Sequence, residues 1–242
     1  MSESDKTHVA VVVGVGAGLG AAVARRFAQK YAVALVARST DVTAALASEI
    51  KSTGGSAVSI QSDATIPEQV AAAYECIRSE LGTPEVLIYN GGRRPFGTLT
   101  QTDPEVFEET WRVHAFGAFL WSRQVVPEML ARRKGAILIT GATAGVKPSP
   151  ASAAFAPAKF AVRGLAQVMA RDLHPQGIHV GYINVDGAID MPVVRQHLSH
   201  LKDEDLLFDP LVLPISTGIE ADRRNALETI EGTRQISRHL PR

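Results

Sequence analysis

Val9-Ala10-Val11-Val12-Val13-Gly14-Val15-Gly16-Ala17-Gly18-Leu19-Gly20 is an apolar, mostly β-branched run that turns into a glycine loop. The run predicts a buried strand over residues 8–13. Leu19, Val23 and Phe27 fall on one face at helical spacing and predict a helix over 18–30. Strand, loop and helix in that order suit a dinucleotide. Gly14 allows the tight turn, Gly18 lets the backbone approach a pyrophosphate, and Gly20 lets the helix pack closely on the strand. Gly16 and Leu19 complete the loop. The helix N-terminus then offers unpaired N–H groups and a partial positive charge to the phosphates. A glycine-rich turn with no ligand is the blander reading; the flanking strand and amphipathic helix favour the binding one.

Outward from that unit, short apolar runs alternate with helical patterns. Strands are expected at 32–37, 57–61, 85–89, 135–140 and 178–183, and helices at 40–53, 67–81, 103–133 and 152–173. This alternation predicts an α/β protein with a Rossmann-type, doubly wound parallel β-sheet in a three-layer αβα sandwich. Pro67 fits a first helical turn, where a missing N–H is harmless. Pro127 is expected to kink or split the helix at 103–133, which Asp103-Pro104 caps and opens. Pro157 is awkward in a helix starting at 152 unless it falls in the first turn. Beyond about residue 192 the pattern weakens. Residues 197–205 and 220–238 read as helix-prone and 211–215 as a short strand. A surface helix, a partner contact and disorder all stay open for the tail.

A length of 242 residues suits one domain, read as 1–242 with a core at 8–192 and a divergent substrate-loop and tail region at 193–242. Lys+Arg 25 balances Asp+Glu 25, so no global field draws the chain to nucleic acid or an anionic membrane. The single Cys76 can form neither an intramolecular disulfide nor a zinc site, and no metal is expected. It reads as a buried helix residue in a reducing compartment. The N-terminus is polar, without the apolar core of a signal peptide, and no apolar run reaches the ~20 residues needed to cross a bilayer. The expectation is a cytoplasmic protein.

Cofactor choice is read where the second strand ends, at Val36-Ala37-Arg38-Ser39-Thr40. A loop of this kind that prefers NAD usually places an acid there for the ribose 2′-hydroxyl. Arg38 instead suits a 2′-phosphate, and Ser39 and Thr40 can add hydroxyls. NADP(H) is therefore favoured over NAD(H), against the plainer reading of a solvated strand-end arginine.

The glycine spacing, Asp63 after the third strand, Asn90-Gly91-Gly92 after the fourth, Lys159, and the Asp186-Gly187 turn after the sixth together resemble the short-chain dehydrogenase/reductase family. The resemblance covers residues 9–192. It implies a seven-stranded Rossmann sheet, a nicotinamide cofactor, a small-molecule carbonyl or alcohol substrate, and a homodimer or homotetramer built through the long helices at 103–133 and 152–173. Gly14, Gly18 and Gly20 fit the family loop, although Val13 replaces its threonine. By the same resemblance Asp63 and Ala64 meet the adenine, and Asn90 and Gly91 line the adenosine. Lys159 bonds the nicotinamide ribose, and Gly187 and Ile189 belong to the cofactor site.

The family's chemical positions differ. Its tyrosine falls on Phe155, its serine on Ala142, its helix asparagine on His114, and the threonine after its proline-glycine turn on Met191. In the family the tyrosine exchanges the proton as hydride moves, and the serine steadies the carbonyl oxygen. Phenylalanine and alanine do neither. Tyr31, Tyr74, Tyr89 and Tyr182 are not expected at the helix position facing the nicotinamide. His114 is the candidate stand-in acid or base beside Lys159, weighed against a histidine that bonds a backbone carbonyl. Thr140 and Thr143 flank the lost serine and read more simply as packing and turn residues. Phe107, Trp111, Phe116, Phe119 and Trp121 crowd one helix, as core or subunit interface. Phe155 and Phe160 predict an apolar cleft wall. Arg93-Arg94-Pro95 either meets an anionic ligand at the cleft mouth or is a pair of solvated loop arginines, the simpler reading. An oxidoreductase with its proton relay replaced and a non-catalytic NADP(H)-binding sensor or partner subunit are both compatible with this pattern; lyase or isomerase work is weakly supported.

Overall fold

In the computed structural model of the chain, residues 8–186 are described. Val9–Val13 forms strand β1, all five residues buried, as expected for a central parallel strand covered on both faces. It is followed by α1 (Leu19–Ala28), β2 (Ala32–Ala37), α2 (Asp41–Ser52), β3 (Ala57–Gln61), α3 (Pro67–Glu80) and β4 (Val86–Tyr89). Then come α4 (Pro104–Trp111), a π-helical turn (Arg112–Phe116), α5 (Gly117–Arg132), β5 (Gly135–Thr140), α6 (Phe155–Leu173) and β6 (Ile178–Ile183). The six strands are parallel, in the order β3-β2-β1-β4-β5-β6. The seventh strand that the resemblance implies, and the elements expected of the tail, fall on residues outside the described ones.

The sheet divides two cores. On one face Val9, Val11, Val13, Leu87 and Tyr89 pack with Ile77 of α3, Trp121 and Met129 of α5 and Val162 of α6. On the other, Ala10, Val12, Val33 and Leu35 pack with Ala21 and Ala24 of α1 and Leu46 and Ile50 of α2. The strand order reverses between β1 and β4. A crevice outside the carboxyl ends of these two strands is where such a sheet takes ligands. The glycine loop and Asn90-Gly91-Gly92 are the segments that leave those two ends.

Several expectations need correction. The buried stripe of α1 is Gly20, Ala21 and Ala24, with Val23 and Phe27 only partly buried, because close helix-on-strand packing takes the small residues. The helix at 103–133 is interrupted at the π turn, not at Pro127, through which α5 runs on. The cause lies beneath it: the Tyr89 hydroxyl donates to the Val113 carbonyl, and the His114 ring is tied to the Arg93 backbone. Both pull on a carbonyl or side chain that a regular α-turn would hold elsewhere. Asp103 occupies the N-cap position of α4 but its side chain makes no capping bond. Helix α6 begins at Phe155 and not at 152, which places Pro157 in its first turn and removes the conflict. Cys76 is half-buried, its thiol 3.4 Å from Glu80 Oε1; burial and that carboxylate push the thiol's pKa up. Of the aromatic crowd, only Trp121 is fully buried, while Phe107, Trp111 and Phe119 are exposed.

Candidate functional site

Gly14 follows β1 with φ +83°, a conformation that L side chains rarely adopt. Its N–H and that of Val15 both donate to Val36 O, at 2.9 and 3.1 Å, so the turn hangs from β2. Asn90 braces it from β4: its N–H donates to Val13 O (2.8 Å) and its Nδ2 to Gly14 O (3.1 Å). A Cβ on Gly14 would stand 2.6 Å from Gly91 N and 2.7 Å from Asn90 O; on Gly20 it would stand 2.6 Å from Gly14 O. Gly16 meets nothing within 4 Å. Gly18 is the N-cap of α1 and no side chain caps that helix, so its first N–H groups lack a side-chain acceptor; Leu19 opens the helix and is half-buried.

At the outer end, Arg38 and Ser39 are exposed. Gln61 Nε2 donates to Arg38 O (3.0 Å). The Ser39 hydroxyl donates to Asp41 Oδ2 (2.8 Å), so its proton is directed at α2 and not outward. Asp63 accepts from the N–H and hydroxyl of Thr65 on Oδ1, at 2.8 and 2.7 Å, and its own N–H donates to Gln69 Oε1 (2.8 Å). Ala64 follows, half-buried. A Cβ on Gly91 would meet the Tyr89 hydroxyl at 2.8 Å, and one on Gly92 would meet His114 Cε1 at 2.6 Å. A Cβ at either place would force the side chain packed behind it to shift.

Of the positions of the resembled chemistry, His114 and Lys159 meet at Phe155. Its ring is buried at the start of α6. The His114 ring meets it edge-on with centroids 5.5 Å apart, and Lys159 Nζ and the Arg94 guanidinium carbon each lie 5.7 Å from its centroid. Lys159 is 5% exposed and donates to Thr140 O (2.8 Å); burial lowers its pKa to about 8. His114 is 2% exposed, with Nε2 2.8 Å from Arg93 O and 3.3 Å from Arg93 N. Burial, and then the Lys159 charge, hold its pKa down near about 3 against the opposing hydrogen bond to Arg93. The imidazole is therefore neutral at neutral pH, and its Nε2 is engaged by the 93 peptide.

That depression has a consequence for stability. The unfolded chain binds a proton on His114 below about 6.5, and the fold refuses it down to about 3. The contribution is complete above pH 6.5 and is lost as pH falls toward 3. His114→Asn is expected to flatten the fall in melting temperature between pH 6.5 and 4.5 relative to wild type, read by scanning calorimetry; parallel curves for the two proteins would refute it.

Ala142 supplies no hydroxyl. Its N–H lies 3.4 Å from the hydroxyl of Tyr182, whose ring fills the space beneath Gly141 and Gly145. Tyr182 stands on β6 and not at the helix position of Phe155, yet its hydroxyl reaches the loop of Ala142 from below. Thr143 donates its hydroxyl to Val185 O (3.4 Å), and Thr140 contributes its carbonyl to Lys159. Tyr89 and Tyr74 are buried. Phe160 does not wall the Phe155 cleft. It is exposed on another side of α6, where it lines an open groove of about 380 Å³ with Pro148, Ser152 and Pro157. Gly187, Ile189 and Met191 lie outside the described residues. No cluster of His, Cys, Asp or Glu among the described residues could hold a metal ion, and no described helix is long and apolar enough to cross a membrane.

Residues 8–200 match the family model described as short chain dehydrogenase. The chain belongs to the short-chain dehydrogenase family. Among curated relatives of this chain, the glycine betaine reductase ATRR of Emericella nidulans is 32% identical over 173 residues, 71% of this chain, which spans only 14% of that protein. A metagenomic short-chain oxidoreductase solved in complex with NADP is 30% identical, with a TM-score of 0.70 over 73% of this chain and 81% of the other. A gluconate 5-dehydrogenase from Burkholderia cenocepacia J2315, solved with NADP and tartrate, is 26% identical, with a TM-score of 0.73 over 78% of this chain and 74% of that one.

Proposed function

We propose that this short-chain dehydrogenase binds NADP(H) in preference to NAD(H) and acts as an oxidoreductase on a small carbonyl or alcohol substrate, with the family's serine–tyrosine proton relay replaced. The observation that carries the cofactor reading is the cradle itself. Gly14 and Gly20 have no room for a Cβ because backbone closes in on them, while Gly16 and the uncapped start of α1 face outward. That arrangement fits a pyrophosphate. Lys159 fits the nicotinamide ribose: one hydrogen bond to Thr140 O fixes the ammonium and leaves further N–H donors for the ribose hydroxyls. Arg38, with an acid absent at its own position, supports the 2′-phosphate. Asp63, Ala64, Asn90 and Gly91 complete the adenosine side of this reading, and Gly187 and Ile189 are proposed for the nicotinamide side. NADP complexes of the two structural relatives are consistent with it.

A nicotinamide held by Lys159 would supply the hydride chemistry at the substrate carbon. Phe155 offers no proton, and Ala142 no hydrogen bond, to the carbonyl oxygen. His114, neutral and engaged with Arg93, is a poor acid at neutral pH, so the proton falls to water or to the substrate. A specific observation supports a second reading, that of a non-catalytic NADP(H)-binding sensor or partner subunit: the Phe155 ring, packed on His114 and beside Lys159, fills the tyrosine's place without an exchangeable proton. NADPH consumption against a broad carbonyl panel separates the two. Slow but saturable turnover with some member supports the oxidoreductase; tight NADPH binding with background rates throughout supports the sensor.

Arg38→Ala is expected to weaken NADPH binding about tenfold, the loss of one charge-assisted contact, and to leave NADH binding unchanged in a fluorescence titration. An equal loss for both nucleotides would contradict the role given to Arg38. A cytoplasmic location and a homodimer or homotetramer through the segments 103–133 and 152–173 belong to the same proposal. Exposed Phe107, Trp111 and Phe119 on the first segment, and Phe160 and Val168 on the second, support the assembly. Light scattering is expected to show an oligomer that Trp111→Ser with Phe119→Ser dissociates; a monomeric wild type would refute it.

A further inference from the structure

We infer that Arg94 receives an anionic group of the substrate, a carboxylate or an oxyanion of similar shape, beside Phe155. The two loop arginines have different fates. Arg93 pairs with Glu109 and gives its peptide to His114. Arg94 makes no ion pair among the described residues. Its guanidinium carbon lies 4.9 Å from the Phe96 ring centroid and 5.7 Å from that of Phe155. Contact with aromatic faces leaves the in-plane N–H fork available, the geometry that takes a carboxylate through two parallel hydrogen bonds.

The surroundings favour an anion. Lys159 and Arg94 both stand 5.7 Å from the Phe155 centroid, and His114, which meets the same ring edge-on, is neutral. No ion pair to either cation is formed by the described residues, so positive charge gathers there without a carboxylate. The cofactor's phosphates do not compete for Arg94 in the proposed reading, since they lie at the loop after β1, whereas Phe155 and Lys159 mark the nicotinamide end. This inference rests on that reading, because Phe155 is taken as the place where substrate meets cofactor.

Calorimetry with the full chain tests it without requiring turnover. The probe is phenylglyoxylate, a 2-oxo carboxylate whose ring complements the Phe155 and Phe96 faces, against its neutral methyl ester, each titrated with and without saturating NADPH. The acid is expected to bind, and the ester to bind at least about tenfold more weakly. Arg94→Met should erase that difference and Arg94→Lys restore part of it, with the NADPH affinity unchanged in both. Equal affinity for acid and ester, an acid that does not bind, or a discrimination that survives Arg94→Met would overturn the proposal. Acid discrimination without any NADPH binding would instead sink the cofactor reading and leave Arg94 as an anion site.

Discussion

Phe155→Tyr combined with Ala142→Ser is expected to raise NADPH-dependent carbonyl reduction by about 10²-fold or more over wild type, since a positioned acid and an oxyanion donor are each worth roughly that factor. The introduced phenol would stand where Lys159 already places a buried positive charge 5.7 Å from the ring centroid, which favours the phenolate and lowers its pKa. The introduced serine would stand at the loop that Tyr182 supports from beneath. The two changes act on one oxygen, so their effects need not multiply, and either alone should gain less than the pair. The readout is kcat/KM for NADPH oxidation with the carbonyl panel. No gain in the pair, with NADPH binding intact, would mean that the substrate pocket has diverged along with the relay.

The second large effect concerns the cradle. Gly14→Ala is expected to abolish NADPH binding and to lower the melting temperature. The left-handed backbone at φ +83° alone costs roughly 1–3 kcal/mol for a residue with a Cβ. The new methyl would also stand 2.6–2.7 Å from the backbone of Asn90 and Gly91, which belongs to the brace of the same turn and cannot move without opening it. Gly164→Ala is the control. It lies in α6, where an added Cβ meets nothing within 4 Å, and the change should stabilise the helix by up to about 1 kcal/mol with NADPH binding untouched. A Gly14→Ala protein that binds NADPH as wild type does would remove the basis of the cradle.

The sheet was legible in the chain because central parallel strands bury both faces. Runs such as Val9–Val13 and Ala32–Ala37 carry that signal without help from neighbours. The glycine loop was legible because turn, close approach and packing each demand glycine at a fixed offset. What was not legible depends on side chains that meet across long separations. Pro127 is a local signal for a break, yet the break falls at Arg112–Phe116, where Tyr89 and the 93 peptide act from other elements. Ser152 and Ala153 look like helix in the sequence but are held by the 149 and 97 backbones, so α6 starts three residues later than the pattern suggests. The family resemblance singled out Phe155, His114 and Lys159, but the contacts of His114 and Lys159 with Phe155, the neutrality of His114 and the approach of Arg94 depend on packing. The difference between the two arginines rests on the pairing of Arg93 with Glu109, which stands on α4 with nothing in its local sequence to name a partner.

Calorimetric titration of the full wild-type chain with NADPH and NADH tests the central claim most directly. Saturable binding of NADPH in the micromolar range or tighter, at least about tenfold stronger than NADH, is the expected result. No binding of either nucleotide, or NADH held as well as NADPH, would contradict it.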